Sequence, residues 1–206
     1  MAGTMPHAIF IETDADGAGE VAAYAAELPG CAVFAATDEE AASAMPRRAE
    51  RFCAWLREAG EEVPAFLGDN WYEVERAAAT AAPGGLERAS FSLDELPPSD
   101  AEFDAWMRWL ELAREELATA IDGVGEDADP ALLLSVAGQD LRLARELGLD
   151  APVPAGTPVD QLYAARDQLS DALMSAGASA EGVRRVLRLA IADDLHAAER
   201  LRGGAR

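Results

Sequence analysis

Residues 99–121 read SDAEFDAWMRWLELAREELATAI and decide how the second half of the chain is interpreted. Ser99 is a favoured N-cap residue, and Glu102 three positions later completes the pattern of a capping box. The apolar side chains that follow recur at helical spacing: Phe103, Trp106, Leu110, Leu117 and Ile121. A single apolar stripe on a capped segment of this length predicts an amphipathic helix that packs against other helices.

Three further segments show the same periodicity. They are PALLLSVAGQDLRLAREL at 130–147, TPVDQLYAARDQLSDALMSAG at 157–177 and SAEGVRRVLRLAIADDLHAAERLR at 179–202. Four amphipathic helices joined by modest loops predict an up-down, antiparallel four-helix bundle. The stripes that should be buried in it are formed by Phe103, Trp106, Leu110, Val136, Leu143, Leu147, Val186 and Ala190.

The first part of the chain predicts short strands and one helix. Strands are expected in HAIFIET, EVAAYAAEL, CAVFAAT and NWYEVERAA, at 7–13, 20–28, 31–37 and 70–78. The first two are separated by DADGAG, and Asp and Gly tolerate the left-handed conformations of a hairpin turn. Together with the bundle, these strands predict an α+β fold.

The helix expected after the third strand begins with Thr37 as N-cap and Glu40 three residues later, a second capping box. Pro46 lies inside this segment and predicts a kink or restart. Residues 78–98 are rich in Ala, Gly, Pro and Ser, which is typical of a linker. The expected organisation is therefore a domain at 1–77, a linker, and the bundle at 99–206.

The charge of the chain limits its partners. The formal net charge is −21 and the isoelectric point is about 4.3, so nucleic-acid backbones and anionic membranes are disfavoured partners. Two cysteines, Cys31 and Cys53, are too few for a disulfide framework. The first residues lack the pattern of a signal peptide, and no apolar run is long enough to span a bilayer. We expect a cytoplasmic protein.

Residues 7–63 resemble the HicB-like domain. The resemblance is carried by TDADGAGEVAAYAAELPGC at 13–31 and by ATDEEAASAMPRRAERFCAWLREAGEEVP at 36–64. It implies a small α/β module of the antitoxin type, which binds a small ribonuclease toxin. An acidic module would complement a basic partner of that kind.

Residues 99–202 resemble the DinB-like four-helix bundle, through RWLELAREELATAI at 108–121 and RRVLRLAIADDLHAAERL at 184–201. The resemblance implies a divalent metal ion held by three histidines. One comes from the second helix, and two come from the fourth at i, i+4 spacing, which places both on one face. The matching positions here are Ser135, Asp193 and Ala197, and a shift of one residue gives Ala192 and His196 instead.

The expected metal site is therefore degenerate. At most one of the three histidines is present, so we expect no tightly bound transition metal, no cofactor and no catalytic residue. The alternative of a weak cation site formed by oxygen ligands is left open. Its candidate residues are Asp140, Asp194 and His196, with Ser135, Gln139 and Asp193 nearby. Otherwise these polar groups are expected to be hydrogen-bonded or paired with arginine.

The sequence favours a non-catalytic protein of binding or assembly. One alternative is a DinB-like, metal-dependent thiol transferase that uses substituted ligands, and another is an antitoxin-like binder of a ribonuclease toxin. Trp109 and Leu112 lie off the main apolar stripe of the first bundle helix, so apolar area is expected to remain for an interface. This predicts a homodimer, with a further protein partner as an open possibility.

Overall fold

A computed structural model describes residues 7–63, 70–82 and 85–204 of the chain. It divides into two compact units, Met1–Asp94 and Glu95–Arg206, which are called the N-terminal unit and the helical unit below. The predicted α+β class is confirmed. The first six residues, which entered the expectation about a signal peptide, lie outside the described residues.

The N-terminal unit is built on a four-stranded sheet. Its elements are β1 (His7–Thr13), β2 (Val21–Ala25), β3 (Ala32–Ala35), α1 (Asp38–Glu58), β4 (Trp71–Ala78), β5 (Thr80–Ala82) and β6 (Gly85–Glu87). The sheet order is β3-β2-β1-β4, with β1 antiparallel to β2 and parallel to β4, while β5 and β6 form a separate two-stranded ribbon. Helix α1 packs against β2 and β3.

The turn between β1 and β2 forms as its sequence predicts. Asp14 adopts a positive φ of 58°, and its carboxylate accepts a hydrogen bond from the backbone N–H of Gly19 at 2.8 Å. The carboxylate of Asp16 accepts from the N–H groups of Ala18 and Glu20. Short acidic side chains thus replace the backbone hydrogen bonds that the turn cannot make.

Helix α1 begins as predicted but is not interrupted. The hydroxyl of Thr37 accepts a hydrogen bond from the N–H of Glu40 at 3.2 Å, which caps the first turn. The expected restart at Pro46 is wrong, because one helix spans Asp38–Glu58. A proline removes one helical hydrogen bond. The buried neighbours Met45 and Ala49 anchor the helix on both sides of it.

The segment expected as a linker, 78–98, belongs largely to the N-terminal unit. It contains β5, β6 and a 3-10 turn at Ser92–Glu95, and the boundary between the units falls after Asp94. Phe91 stacks on Phe10 of β1 with ring centroids 4.7 Å apart. The Ala-, Gly-, Pro- and Ser-rich composition predicted a linker, but this long-range aromatic contact packs the segment against the sheet.

A buried charge pair ties the same segment to the sheet. Glu12 of β1 is fully buried and accepts hydrogen bonds from the guanidinium of Arg88, from the N–H of Ala89 and from the hydroxyl of Tyr24. The Arg88 Nη2 also lies 2.5 Å from the Tyr24 hydroxyl. The carboxylate therefore has a full set of partners, as a buried charge requires.

The helical unit consists of four long helices. They are α2 (Asp100–Val124), α3 (Pro130–Glu146), α4 (Pro158–Ala176) and α5 (Val183–Gly204), with a 3-10 turn at Gly125–Asp127 between the first two. The capping box of Ser99 and Glu102 is confirmed, and Thr157 with Asp160 forms another at the start of α4. The close helix pairs are α2–α5, α3–α5 and α3–α4.

Contacts along α2 and α5 show that these two helices run parallel. Near their beginnings, the guanidinium of Arg184 lies over the ring of Trp106, 4.6 Å from its centroid. Further along both helices, Arg202 pairs with Glu116 at 2.5 Å. Because these two contacts occur in the same order along α2 and along α5, the two helices run in the same direction.

Helix α3 runs against α5, because Arg185 at the start of α5 pairs with Glu146 at the end of α3. Gln168 in the middle of α4 donates to the carbonyl of Pro152, which lies midway between α3 and α4. This connection therefore passes back along α4, and α4 runs parallel to α3. These contacts give the order up-down-down-up for the predicted four-helix bundle, and the connection at 147–157 is long enough for a crossover.

The bundle interior agrees with the predicted stripes except at one position. Seven of the eight expected core residues are buried, and Leu147 is half-buried at the C-terminal end of α3. Trp109 is also buried, which corrects the expectation that it is left over for an interface, while Leu112 is half-buried. Helix α2 buries a wider face than its main stripe. The burial of Trp109 therefore removes one reason for predicting a homodimer, and the homodimer stays a prediction.

We expect Glu12→Gln to destabilise the N-terminal unit by about 3–5 kcal/mol, because removing one partner of a buried ion pair leaves the other charge uncompensated. Urea unfolding followed by circular dichroism measures this loss. The exposed Glu58 provides the control, and Glu58→Gln should change the free energy of unfolding by less than about 0.5 kcal/mol. Equal effects of the two variants would contradict the role of Glu12.

Candidate functional site

The residues expected at a degenerate metal site do not converge. Ser135 is exposed on α3, Asp193 and His196 are half-buried on α5, and Ala197 is buried. Ser135 therefore points away from the interior that a three-ligand site would occupy. Gln139, another nearby candidate, is half-buried.

Two of the weak candidates, Asp140 and Asp194, do face each other in the bundle interior. Each is almost completely buried, on α3 and α5 respectively. They share the interior with Arg166 of α4 and Arg114 of α2. These four residues are called the central cluster below, and each bundle helix contributes one of them.

Arg166 lies between the two carboxylates of the central cluster. Its Nη2 donates a hydrogen bond to Asp194 Oδ1. Its Nε lies 3.8 Å from Asp140 Oδ2, close enough for an ion pair but without hydrogen-bond geometry. One guanidinium therefore links α4 to both α3 and α5.

Arg114 approaches the cluster from α2. Its Nη1 donates to the hydroxyl of Ser170 on α4 at 2.5 Å, and its Nε lies 4.0 Å from Asp194 Oδ2. The side chain of Arg114 is 15% exposed, whereas those of Arg166, Asp140 and Asp194 are at most 5% exposed. Arg114 is thus the member of the cluster nearest to solvent.

The hydrogen bonding of the central cluster is incomplete. Five buried atoms have no hydrogen-bond partner: Nε and Nη2 of Arg114, Nε and Nη1 of Arg166, and Oδ2 of Asp140. Four of the five are donors. A buried donor without a partner is costly, so a cluster with this composition favours the addition of an acceptor.

Burial, followed by repulsion from Asp194, raises the pKa of Asp140 to about 7, although Arg114 and Arg166 oppose the shift. Burial also raises the pKa of Asp194, against the attraction of Arg166. Asp194 accepts a hydrogen bond from a guanidinium, whereas Asp140 Oδ2 accepts none. We therefore assign the first proton taken up by the cluster to Asp140.

The two aspartates were among the weak candidates expected from the sequence, but both arginines were missed. A signal was present, because Arg114 falls between Leu110 and Leu117 on the apolar stripe of α2. Arg166 falls between Leu162 and Leu169 in the same way on α4. A charged residue at a stripe position is either partnered in the core or located at its edge.

Across 7–63, 70–82 and 85–204, no group of three or more His, Cys, Asp and Glu side chains is arranged to hold a metal ion. The same part of the chain has no helix with both the length and the hydropathy needed to cross a membrane.

Comparisons of the chain with protein-family models, with curated proteins and with solved structures give no match. The HicB-like and DinB-like resemblances therefore depend on the quoted sequence segments alone.

The raised pKa of Asp140 predicts a pH-dependent stability. The folded chain holds a proton that the unfolded chain releases near the ordinary aspartate pKa of about 3.9. This stabilisation is complete below that pKa and is lost as the pH rises through about 7. Between about pH 5 and pH 8 we expect the free energy of unfolding to fall by about 2–3 kcal/mol, at about 1.4 kcal/mol per pKa unit.

Urea unfolding of Asp140→Asn over the same pH range isolates this contribution. The amide cannot titrate, so the fall should disappear in the variant. Asp122→Asn changes an exposed aspartate of α2 and should retain it. A fall that is unchanged in Asp140→Asn would assign the proton to another group.

Proposed function

We propose that the chain is a non-catalytic binding or assembly protein whose helical unit works without a metal ion. One observation supports this most strongly: the point where Asp140 and Asp194 converge is already occupied by the guanidinium groups of Arg166 and Arg114. Two permanent positive charges neutralise the carboxylates and repel a divalent cation.

The chemistry of the surrounding positions agrees with this proposal. Ala197 has no donor atom, and Ser135 is exposed. A catalytic metal site needs three protein ligands around an open position. The central cluster offers two carboxylates, and both face guanidinium groups.

The runner-up, a metal-dependent thiol transferase with substituted ligands, has less support. Its metal ion would have to displace Arg166 from Asp194, which would leave a guanidinium buried without a carboxylate. Breaking a buried ion pair in this way costs about 3–5 kcal/mol, because the remaining charge is left without compensation. Cys31 and Cys53 are both buried, and burial raises the pKa of the Cys53 thiol, so neither is expected to act as a nucleophile.

The N-terminal unit supports the binding part of the proposal. β4 is the terminal strand in the order β3-β2-β1-β4, and it exposes the large apolar side chains of Tyr72 and Val74. Apolar side chains on a terminal strand favour association with another chain. The antitoxin-like alternative concerns this same unit, and a pull-down that recovers a ribonuclease would favour it over a purely structural role.

Elemental analysis tests the proposal directly. Protein purified without a histidine tag should contain well under one equivalent of zinc, nickel or iron, because the carboxylates are already paired with arginine. One equivalent of a transition metal that is lost in Asp194→Asn, and retained in the exposed control Asp122→Asn, would contradict the proposal. That result would support the thiol-transferase alternative instead.

A further inference from the structure

The central cluster also indicates a class of ligand. This inference rests on the proposed metal-free function, because a metal ion and an anion cannot both occupy the cluster. We propose that Arg114 and Arg166 bind the carboxylate group of a small organic acid within the helical unit.

The central cluster has more buried donors than acceptors without a hydrogen-bond partner. The cluster has four buried donors without a hydrogen-bond partner and one such acceptor. Only a species with acceptor atoms satisfies the majority of them. A carboxylate offers two oxygens, with about four lone-pair directions, and therefore matches this excess of donors.

The guanidinium of Arg114 is oriented so that one side of it makes no hydrogen bond. Its Nη1 is fixed by the hydroxyl of Ser170, which leaves Nε and Nη2 without a hydrogen bond. Nε and Nη2 are the two nitrogens on one side of a guanidinium, and their N–H groups point in the same direction. This pair binds a carboxylate through two parallel hydrogen bonds, an arrangement that lysine cannot reproduce.

The position of Arg114 near the surface indicates how a ligand could reach the central cluster. The close helix pairs of the described part are α2–α5, α3–α5 and α3–α4, so side chains such as Arg114 and Ser170 make the link between α2 and α4. Arg114 is also the most exposed member of the cluster. The route proposed for a small ligand is therefore between α2 and α4, with Arg166 deeper in the bundle.

The net charge of the central cluster also favours an anionic ligand. With both aspartates ionised, the two arginines and two aspartates of the cluster sum to zero. A proton on Asp140 leaves one positive charge, which the carboxylate of the ligand then neutralises. Asp193 of α5 adds a further negative charge near Asp140, which favours a ligand with a single negative charge.

Acetate is the probe for this proposal. Sodium acetate is titrated into the full chain at about pH 6, with sodium chloride at the same ionic strength as reference, and the melting temperature is followed. We expect a saturable rise with acetate that chloride does not produce. In Arg114→Lys the apparent affinity for acetate should fall at least tenfold, while Arg108→Lys, an exposed arginine of α2, should leave it unchanged.

A second variant covers the case in which Arg114→Lys does not fold. Ser170→Ala removes the hydroxyl that fixes Arg114 and should weaken acetate binding several-fold. An acetate effect equal to that of chloride, or one unchanged in both variants, would overturn the proposal. A larger rise with inorganic phosphate than with acetate would also overturn it, because a tetrahedral phosphate ion would then be preferred to a planar carboxylate.

Metal analysis of the same sample separates this inference from the proposed function. A metal-free protein without an acetate effect refutes the carboxylate ligand alone. A stoichiometric metal ion refutes the proposed function as well.

Discussion

The hydrogen bond between Arg166 and Asp194 is the constraint on which the helical unit depends. It joins α4 to α5 through the bundle interior, where neither charge is exposed to water. Isolated charges in such surroundings are very unfavourable, so each residue requires the other. Asp140 and Arg114 then follow as the partners that keep the interior close to electrical neutrality.

The same pairing determines which charges meet in the bundle interior. A metal ion supplies positive charge to converging carboxylates, and two guanidinium groups supply the same charge permanently. In the central cluster, four donors and one acceptor have no hydrogen-bond partner, and this excess of donors is the basis for proposing an anionic ligand.

Much of the fold could be predicted from local sequence, because capping residues and apolar periodicity act over a few positions. The N-caps predicted at Thr37 and Ser99 gave correct helix starts, and the stripe of α2 gave a correct core. Contacts between distant residues could not be predicted in this way. Phe91 on Phe10 moved the domain boundary, and the crossover to α4 changed the order of the bundle.

The candidate site shows the same division. Asp140 and Asp194 were identified as polar residues near the expected ligand positions, but periodicity alone did not show which aspartate of the pair at 193–194 faces inward. The helical rotation of about 100° between neighbours makes that choice depend on the packing of α5 against α3. The arginines were missed because long basic side chains commonly reach solvent from a stripe position, and only their partners on other helices show that these two do not.

A double-mutant cycle on Arg166 and Asp194 tests the central claim most directly. Arg166→Met, Asp194→Asn and the combined variant are unfolded in urea, and the interaction energy is taken from their free energies of unfolding. Each single variant should lose about 3–5 kcal/mol, and the double variant much less than their sum, with a coupling above about 2 kcal/mol. Additive losses, with a coupling below about 0.5 kcal/mol, would contradict the account.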